Sequence, residues 1–335
     1  MKKFIEGIPK AELHLHIEGT FEPELMLEIA KRNSIYLKYE NIEELKNAYN
    51  FSNLQEFLDI YYSGCNALIK EIDFYDMTWA YLNKAKEQNI FHTEIMFDPQ
   101  THTNRGISFK TVINGIHKAL VDAETKLGIT SKLIMSFLRH LPEKAAFETL
   151  EQAKPFKNWI DAVGLDSSEV GHPPSKFERV FQKAKEEGYL IVAHAGEEGP
   201  PEYVTEALDL LDVDRIDHGI RSMEDMDVVN KLIERNVALT VCPLSNLKLQ
   251  VVTDLKKHPL KRMLDKGLFV TVNSDDPAYF GGYINENYLE IQKALVLSKE
   301  DIIQLATNSF NASFLNEIEK SKMLEKLNKF TNEYI

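Results

Sequence analysis

Eight short apolar runs, separated by stretches of helical periodicity, constrain this chain more than any other feature. They are AELHLHI (11–17), NIFHTEIMF (89–97), SKLIMSFL (131–138), WIDAVGL (159–165), YLIVAHAG (189–196), DRIDHG (214–219), VALTVCP (237–243) and LFVTVNSDDP (268–277). Runs of this length with turn signals at their ends read as strands. The stretches between them, such as 108–128 and 174–188, carry apolar residues three and four apart and end in Gly, as helices do. Strands alternating with helices over 335 residues place the chain in the α/β class and predict a closed (β/α)8 TIM barrel. A doubly wound open sheet is the rival, but neither GxGxxG nor GxxxxGK[ST] follows any strand. About 70 residues separate the first run from the second, too many for one crossover helix. The reading is therefore one barrel domain over residues 1–335, with a helical insertion at about 20–88 able to cover the barrel mouth.

Composition removes several classes of function. Lys plus Arg number 39 against 52 Asp plus Glu, a formal net charge of -13. No basic stripe exists to neutralise phosphates, which argues against nucleic-acid partners and leaves room for a small neutral substrate. The two cysteines, Cys65 and Cys242, lie far apart and form no CxxC pair. That usage fits a reducing, cytoplasmic compartment. The start, MKKFIEGIPKAE, lacks the apolar core of a signal peptide, and no run of 18 apolar residues occurs, so no membrane partner is expected. An oligomer is compatible with this composition but cannot be read from it.

The polar residues at the strand ends carry the chemistry. In KAELHLHIEGT, period two puts His14, His16 and Glu18 on one side of the first strand. That stretch alone suits a solvated strand face as well as a metal site. The fifth run supplies His194 and then Glu197, the sixth Asp217 and His218, and the eighth Asp275 and Asp276. Barrel enzymes assemble their sites at the C-terminal ends of several strands, so the fold would bring these groups together. His14, His16, His194 and Asp275 then form a set of three nitrogens and one carboxylate. That set suits one Zn²⁺ per chain, with room for a water whose pKa it lowers toward ~7. Glu197 is placed to carry a proton, His218 to orient the attacking water and Asp276 to hydrogen-bond the substrate. Asp217 is a plausible partner for a neighbouring imidazole. These roles define hydrolysis at a polarised C–N, C=N or C=O centre and leave the substrate open. The HxE…PCxxC pattern of nucleic-acid deaminases is absent.

The stretches PKAELHLHIEGT (9–20), AHAGEEG (193–199), DRIDHG (214–219), CPLSNLKL (242–249), HPLKRML (258–264) and NSDDPAYFG (273–281) together resemble the adenosine and adenine deaminase family of metal-dependent barrels. The resemblance spans most of the chain and implies zinc on His14, His16, His194 and Asp275. It further implies Glu197 as the acid that protonates the purine ring, His218 as the catalytic histidine and Asp276 as the contact to the imidazole edge. Adenosine deaminases typically carry Asp where this chain has Glu18, and an A-G-D-E run where it has LDSSEVG (165–171). By that resemblance Glu18, Asp166 and Ser167 border a pocket for a free purine base, with Glu18 filling space that ribose would take. The expected activity is adenine deamination. The alternatives are adenosine or an N6-substituted adenine as substrate, and, more remotely, an inactive barrel kept as a binding protein.

Overall fold

The computed structural model describes residues 1–39 and 41–334, so positions 40 and 335 of the expected domain lie outside the described residues. Eight parallel strands neighbour one another in chain order: β1 (Lys10–His16), β2 (Ile90–Phe97), β3 (Thr130–Leu138), β4 (Ala162–Asp166), β5 (Leu190–Ala195), β6 (Arg215–His218), β7 (Ala238–Val241) and β8 (Val270–Val272). A parallel bridge between Leu15 and Asp275 joins the last segment back to the first. Its bonds run from His16 N–H to Asp275 O (3.1 Å) and from Asp275 N–H to His14 O (3.1 Å). This is a (β/α)8 barrel, nearly closed by ladder and completed by that bridge.

The helices form where the periodicity predicts. Phe109–Leu127 buries Val112, Ile113, Ile116, Ala119 and Ala123 on one face. Its first turn is capped by the Ser108 side chain, which accepts from Thr111 N–H, and it ends at Gly128 in the left-handed region. Burial of one apolar stripe against the barrel, more than intrinsic propensity, holds such helices in place.

Two boundaries differ from the sequence expectation for local reasons. Trp159 and Ile160 precede β4, because Lys154–Trp159 closes as a 3-10 turn. The eighth run keeps only Val270–Val272 as strand, because Asp275 adopts φ 63 and turns the chain across the barrel mouth. Between β1 and β2 the chain folds as four helices, Pro23–Arg32, Ile42–Ala48, Leu54–Cys65 and Glu71–Glu87. The Leu54–Cys65 helix brings Leu54, Phe57, Leu58, Tyr61 and Tyr62 over the C-terminal strand ends. Among the described residues no helix is long and apolar enough to cross a membrane. Cys65 and Cys242 are both buried and unbridged.

Candidate active site

The barrel gathers the strand-end residues from β1, β5, β6 and β8 into one buried cluster. Ligand-capable atoms of His14, His194, His218 and Asp275 lie within 4.8 Å of one another, and His16 joins Asp275 and Asp276 in an overlapping group. Asp275 sits between two sets of imidazoles. Its Oδ1 is 3.4 Å from His14 Nε2 and 3.6 Å from His16 Nε2, while its Oδ2 is 3.7 Å from His218 Nε2. His16 Nε2 and His194 Nε2 stand 3.2 Å apart. Nitrogen and oxygen ligands bound at about 2.0–2.1 Å in a tetrahedron are separated by about 3.3 Å along each edge. The His14–Asp275, His16–Asp275 and His16–His194 separations lie near that edge length, and His14, His194, His218 and Asp275 form the four-residue group within 4.8 Å, so residues of this cluster could hold a metal ion.

The groups behind the cluster set its tautomers. Thr240 Oγ1–H donates to Asp217 Oδ1 (2.8 Å), so Thr240 Oγ1 is left to accept from His14 Nδ1–H (3.0 Å), with Asp217 Oδ1 3.9 Å from that nitrogen. His14 thus turns a bare Nε2 toward Asp275, and this buried nitrogen has no hydrogen-bond partner in the protein. Asp217 Oδ2 lies 3.6 Å from His194 Nδ1, so one carboxylate backs two imidazoles. Carboxylates so placed orient metal-binding histidines and raise their basicity.

Electrostatics separate the roles of the acids. Burial drives His16 down to about 4 and His218 to about 3, so both are neutral at pH 7. Burial together with the neighbouring histidines also lowers His194. For His14 burial is the largest single influence and pulls downward, but the charge and hydrogen bond of Asp275, the Asp217 charge and the Thr240 carbonyl together outweigh it and the net shift is up. Asp275 remains well below the ordinary carboxylate range despite its burial, because His14 and the other imidazoles surround it. Glu197 and Asp276 move the other way. Burial, reinforced by the Asp275 charge, raises both carboxyls well above their usual values. Neutral carboxyls beside a fixed carboxylate are groups able to donate protons.

Backbone strain concentrates here as well. Ser167, His218 and Asp275 are non-glycine residues in the left-handed region, at φ 75, 64 and 63. Asp276 stands at the N-cap of Pro277–Phe280 but does not use its side chain as a cap, and its Oδ1 has no partner. It packs so close to Gly19 that a Cβ there would lie 1.9 Å from Oδ1, so the turn after β1 requires glycine.

The cavity in front of this cluster is small, about 30 Å³, and borders His16, His194, Glu197, His218, Asp275 and Asp276. Tyr61, Tyr62, Asp98, Asp166 and Ser167 complete its wall, with His16 Nδ1 3.5 Å from Asp166 Oδ2 and ligand-capable atoms of His16, Asp98 and Asp166 within 4.8 Å of one another. Glu18 stands elsewhere. Fully buried, it accepts from the Asp98 N–H (3.3 Å) and pairs with His102 Nε2 (2.8 Å), one layer behind the wall, so its expected contact with substrate becomes a contact with Asp98 and His102. Asp98 is the wall residue that the sequence reading passed over. It ends β2 just before Pro99, as Asp276 stands just before Pro277 after β8, and that repeated Asp-Pro was an available signal. Tyr61 and Tyr62 arrive from the insertion and carry no such mark.

A barrel with buried histidines and carboxyls gathered at its C-terminal mouth has the layout of a hydrolase that acts on a small molecule. The family model described as adenosine deaminase matches residues 9–330, and the chain belongs to that family. An adenine deaminase from Acinetobacter baylyi is 64% identical over 97% of this chain and 98% of its own length. Another from Hahella chejuensis is 59% identical over 98% of this chain and 99% of its own. The crystal structure of the adenine deaminase from Arthrobacter aurescens superposes with a TM-score of 0.96 at 51% identity, covering 97% of this chain and 100% of that one.

Proposed function

We infer that this protein hydrolyses adenine to hypoxanthine and ammonia. The observation that carries the reading is the full-length likeness to adenine deaminases, 64% identical over 97% of the chain, joined to a mouth that gathers His16, His194, Glu197, His218, Asp275 and Asp276 around one cavity. His14, His16, His194 and Asp275 would hold Zn²⁺, which suits three nitrogens and one carboxylate oxygen. So held, Zn²⁺ supplies Lewis-acid activation of a water near neutral pH.

The chain's own groups do the rest. Asp276 donates to a nitrogen of the imidazole edge of the base and fixes its orientation. Glu197 gives its proton to N1, which makes C6 more electrophilic. His218 Nε2 lies 3.6 Å from Glu197 Oε1 and 3.7 Å from Asp275 Oδ2, where it orients the attacking water. Oxygen bonds to C6 and the C6–N bond breaks. Of the two protons of the water, one leaves with ammonia and the other restores Glu197. Asp98, Asp166 and Ser167 line the same cavity, and Glu18 supports Asp98 from behind. A cavity of about 30 Å³ favours the free base over the larger nucleoside. The barrel and its 20–88 insertion act as one catalytic unit of residues 1–335.

The test is a side-by-side assay of the zinc-loaded protein on adenine and adenosine, following purine absorbance and ammonia. Adenine is expected to be consumed far faster. A preference for adenosine would overturn the substrate while leaving the roles of the cluster in place.

A further inference from the structure

We propose that Glu169 is a positioning residue for this reaction: its carboxylate clamps the backbone of residues 196–199 and thereby fixes where Glu197 delivers its proton. The inference rests on the reading of Glu197 as the proton donor. Glu169 is fully buried three residues beyond the end of β4. Its Oε1 accepts from Gly196 N–H (2.7 Å), and its Oε2 accepts from the N–H groups of Glu197 (3.1 Å), Glu198 (2.8 Å) and Gly199 (2.6 Å). Four consecutive backbone donors converging on one carboxylate form an anion-binding nest. Two features of the loop make the nest possible. Gly196 takes φ 70, which turns the chain after β5. Gly199 has no Cβ, and one placed there would stand 2.5 Å from Glu169 Oε1.

Only a side chain with two acceptor oxygens matches these four donors. Glutamine would bring one acceptor oxygen and an NH2 group that faces the loop amides donor to donor. The four N–H groups would then be buried without full satisfaction, and the loop would relax away. A positive charge is present nearby. Arg139 is buried beside Glu169 and donates through Nη1 to His194 O (2.7 Å) and through Nε to His172 O (2.8 Å). Arg139 thus holds the end of β5 at the His194 carbonyl, and Glu169 holds the four residues from 196 to 199. The clamp also ties together two sides of the cavity. The loop after β4 carries Asp166 and Ser167, and the loop after β5 carries Glu197.

The test is a double-mutant cycle on the zinc-loaded enzyme. Glu169→Gln and Glu197→Gln are made singly and together, and kcat, KM and zinc content are measured for each. A misplacement of about 1 Å can cost about 10²-fold. Glu169→Gln is therefore expected to lower kcat by about 10- to 100-fold, with KM changed less and zinc retained. In the Glu197→Gln background the same substitution should cost little, because the group it positions is already disabled. Glu169→Asp, which keeps the charge, should restore part of the loss. Losses that multiply in the double mutant, or normal kcat in Glu169→Gln, overturn the proposal. If Glu197→Gln itself turns over normally, the failure lies in the reading of Glu197 and not in the clamp. If Glu169→Gln does not accumulate folded, Gly199→Ala perturbs the same contact from the other side. Its cycle with Glu197→Gln must show the same non-additivity, and multiplicative losses there refute the clamp equally.

Discussion

The two ends of the barrel bury polar groups in opposite ways. At the N-terminal end, Lys10 Nζ donates to Asn285 Oδ1 (2.9 Å) and Gln88 O (3.0 Å). Glu12 Oε1 accepts from Ser274 N–H (2.8 Å) and Oγ–H (2.6 Å). Arg215 pairs with Glu94, donates to Leu13 O (2.9 Å) and holds Nε 3.8 Å from Asp217 Oδ1. At the mouth, His14 Nε2, Asp98 Oδ1, Asp276 Oδ1 and both oxygens of Asp166 have no hydrogen-bond partner in the protein. A buried polar group without a partner costs about 1–3 kcal/mol. Such a cost is retained where a ligand removes it. Paired polar groups at the closed end specify the barrel, and unpaired ones at the open end await metal and substrate.

The comparison is broken most severely at the metal set. Asp275→Ala removes the carboxylate that all of His14, His16 and His218 face. The purified variant should lose most of its zinc, measured by elemental analysis, and all measurable adenine turnover. Retention of both would show that the unpaired mouth atoms do not await a metal. The next effect in size is Glu197→Gln. It should lower kcat by about 10²–10⁴-fold with zinc still bound and the thermal midpoint unchanged. Normal turnover by the loaded variant would remove Glu197 from the acid role.

How much of this was legible in the sequence follows the same division. His14, His16, His194, His218, Asp275 and Asp276 stood out because strand periodicity and barrel topology together predict where strand ends meet. All six line or adjoin one cluster. Asp98 was hidden because a single acid after a strand is common, although its Asp-Pro context repeats that of Asp276. Glu169 could not be found that way, because its partners are four backbone N–H groups and backbone partners leave no trace in residue identity. Glu18 shows a related gap. Period two put Glu18 on the face of His14 and His16, but β1 ends at His16 and the chain turns as a 3-10 helix from Glu18, which directs its carboxyl to His102.

At the closed end the signs reverse: substitutions there should cost stability and spare chemistry. Arg215→Met leaves Glu94 buried without its cation. Removing one member of a buried pair costs about 3–5 kcal/mol. The midpoint of urea unfolding should fall accordingly, while kcat per zinc-loaded molecule falls far less than in Glu197→Gln, Arg215 reaching the site only through Asp217. A large loss of kcat in molecules that remain folded and loaded would mean that the two ends are not separable.

The smallest effect tests the closed end by pH. Burial drives the Lys10 ammonium down to about 7 from its ordinary 10.5, although Glu12, Glu286 and Glu6 pull it upward. Between those two values the unfolded chain binds the proton and the folded chain does not. Stability therefore rises with pH wherever the unfolded state holds more protons, here from about 7 toward 10.5. Below about 7 the folded state must keep a buried charge, and this contribution is absent. Lys10→Met removes the titration. Wild type and variant should then differ in the slope of unfolding free energy against pH only within that window, with the wild type gaining relative to the variant as pH increases. Parallel slopes across the window would mean that Lys10 stays charged in the fold, held by Glu12 as an ion pair at the base of the barrel.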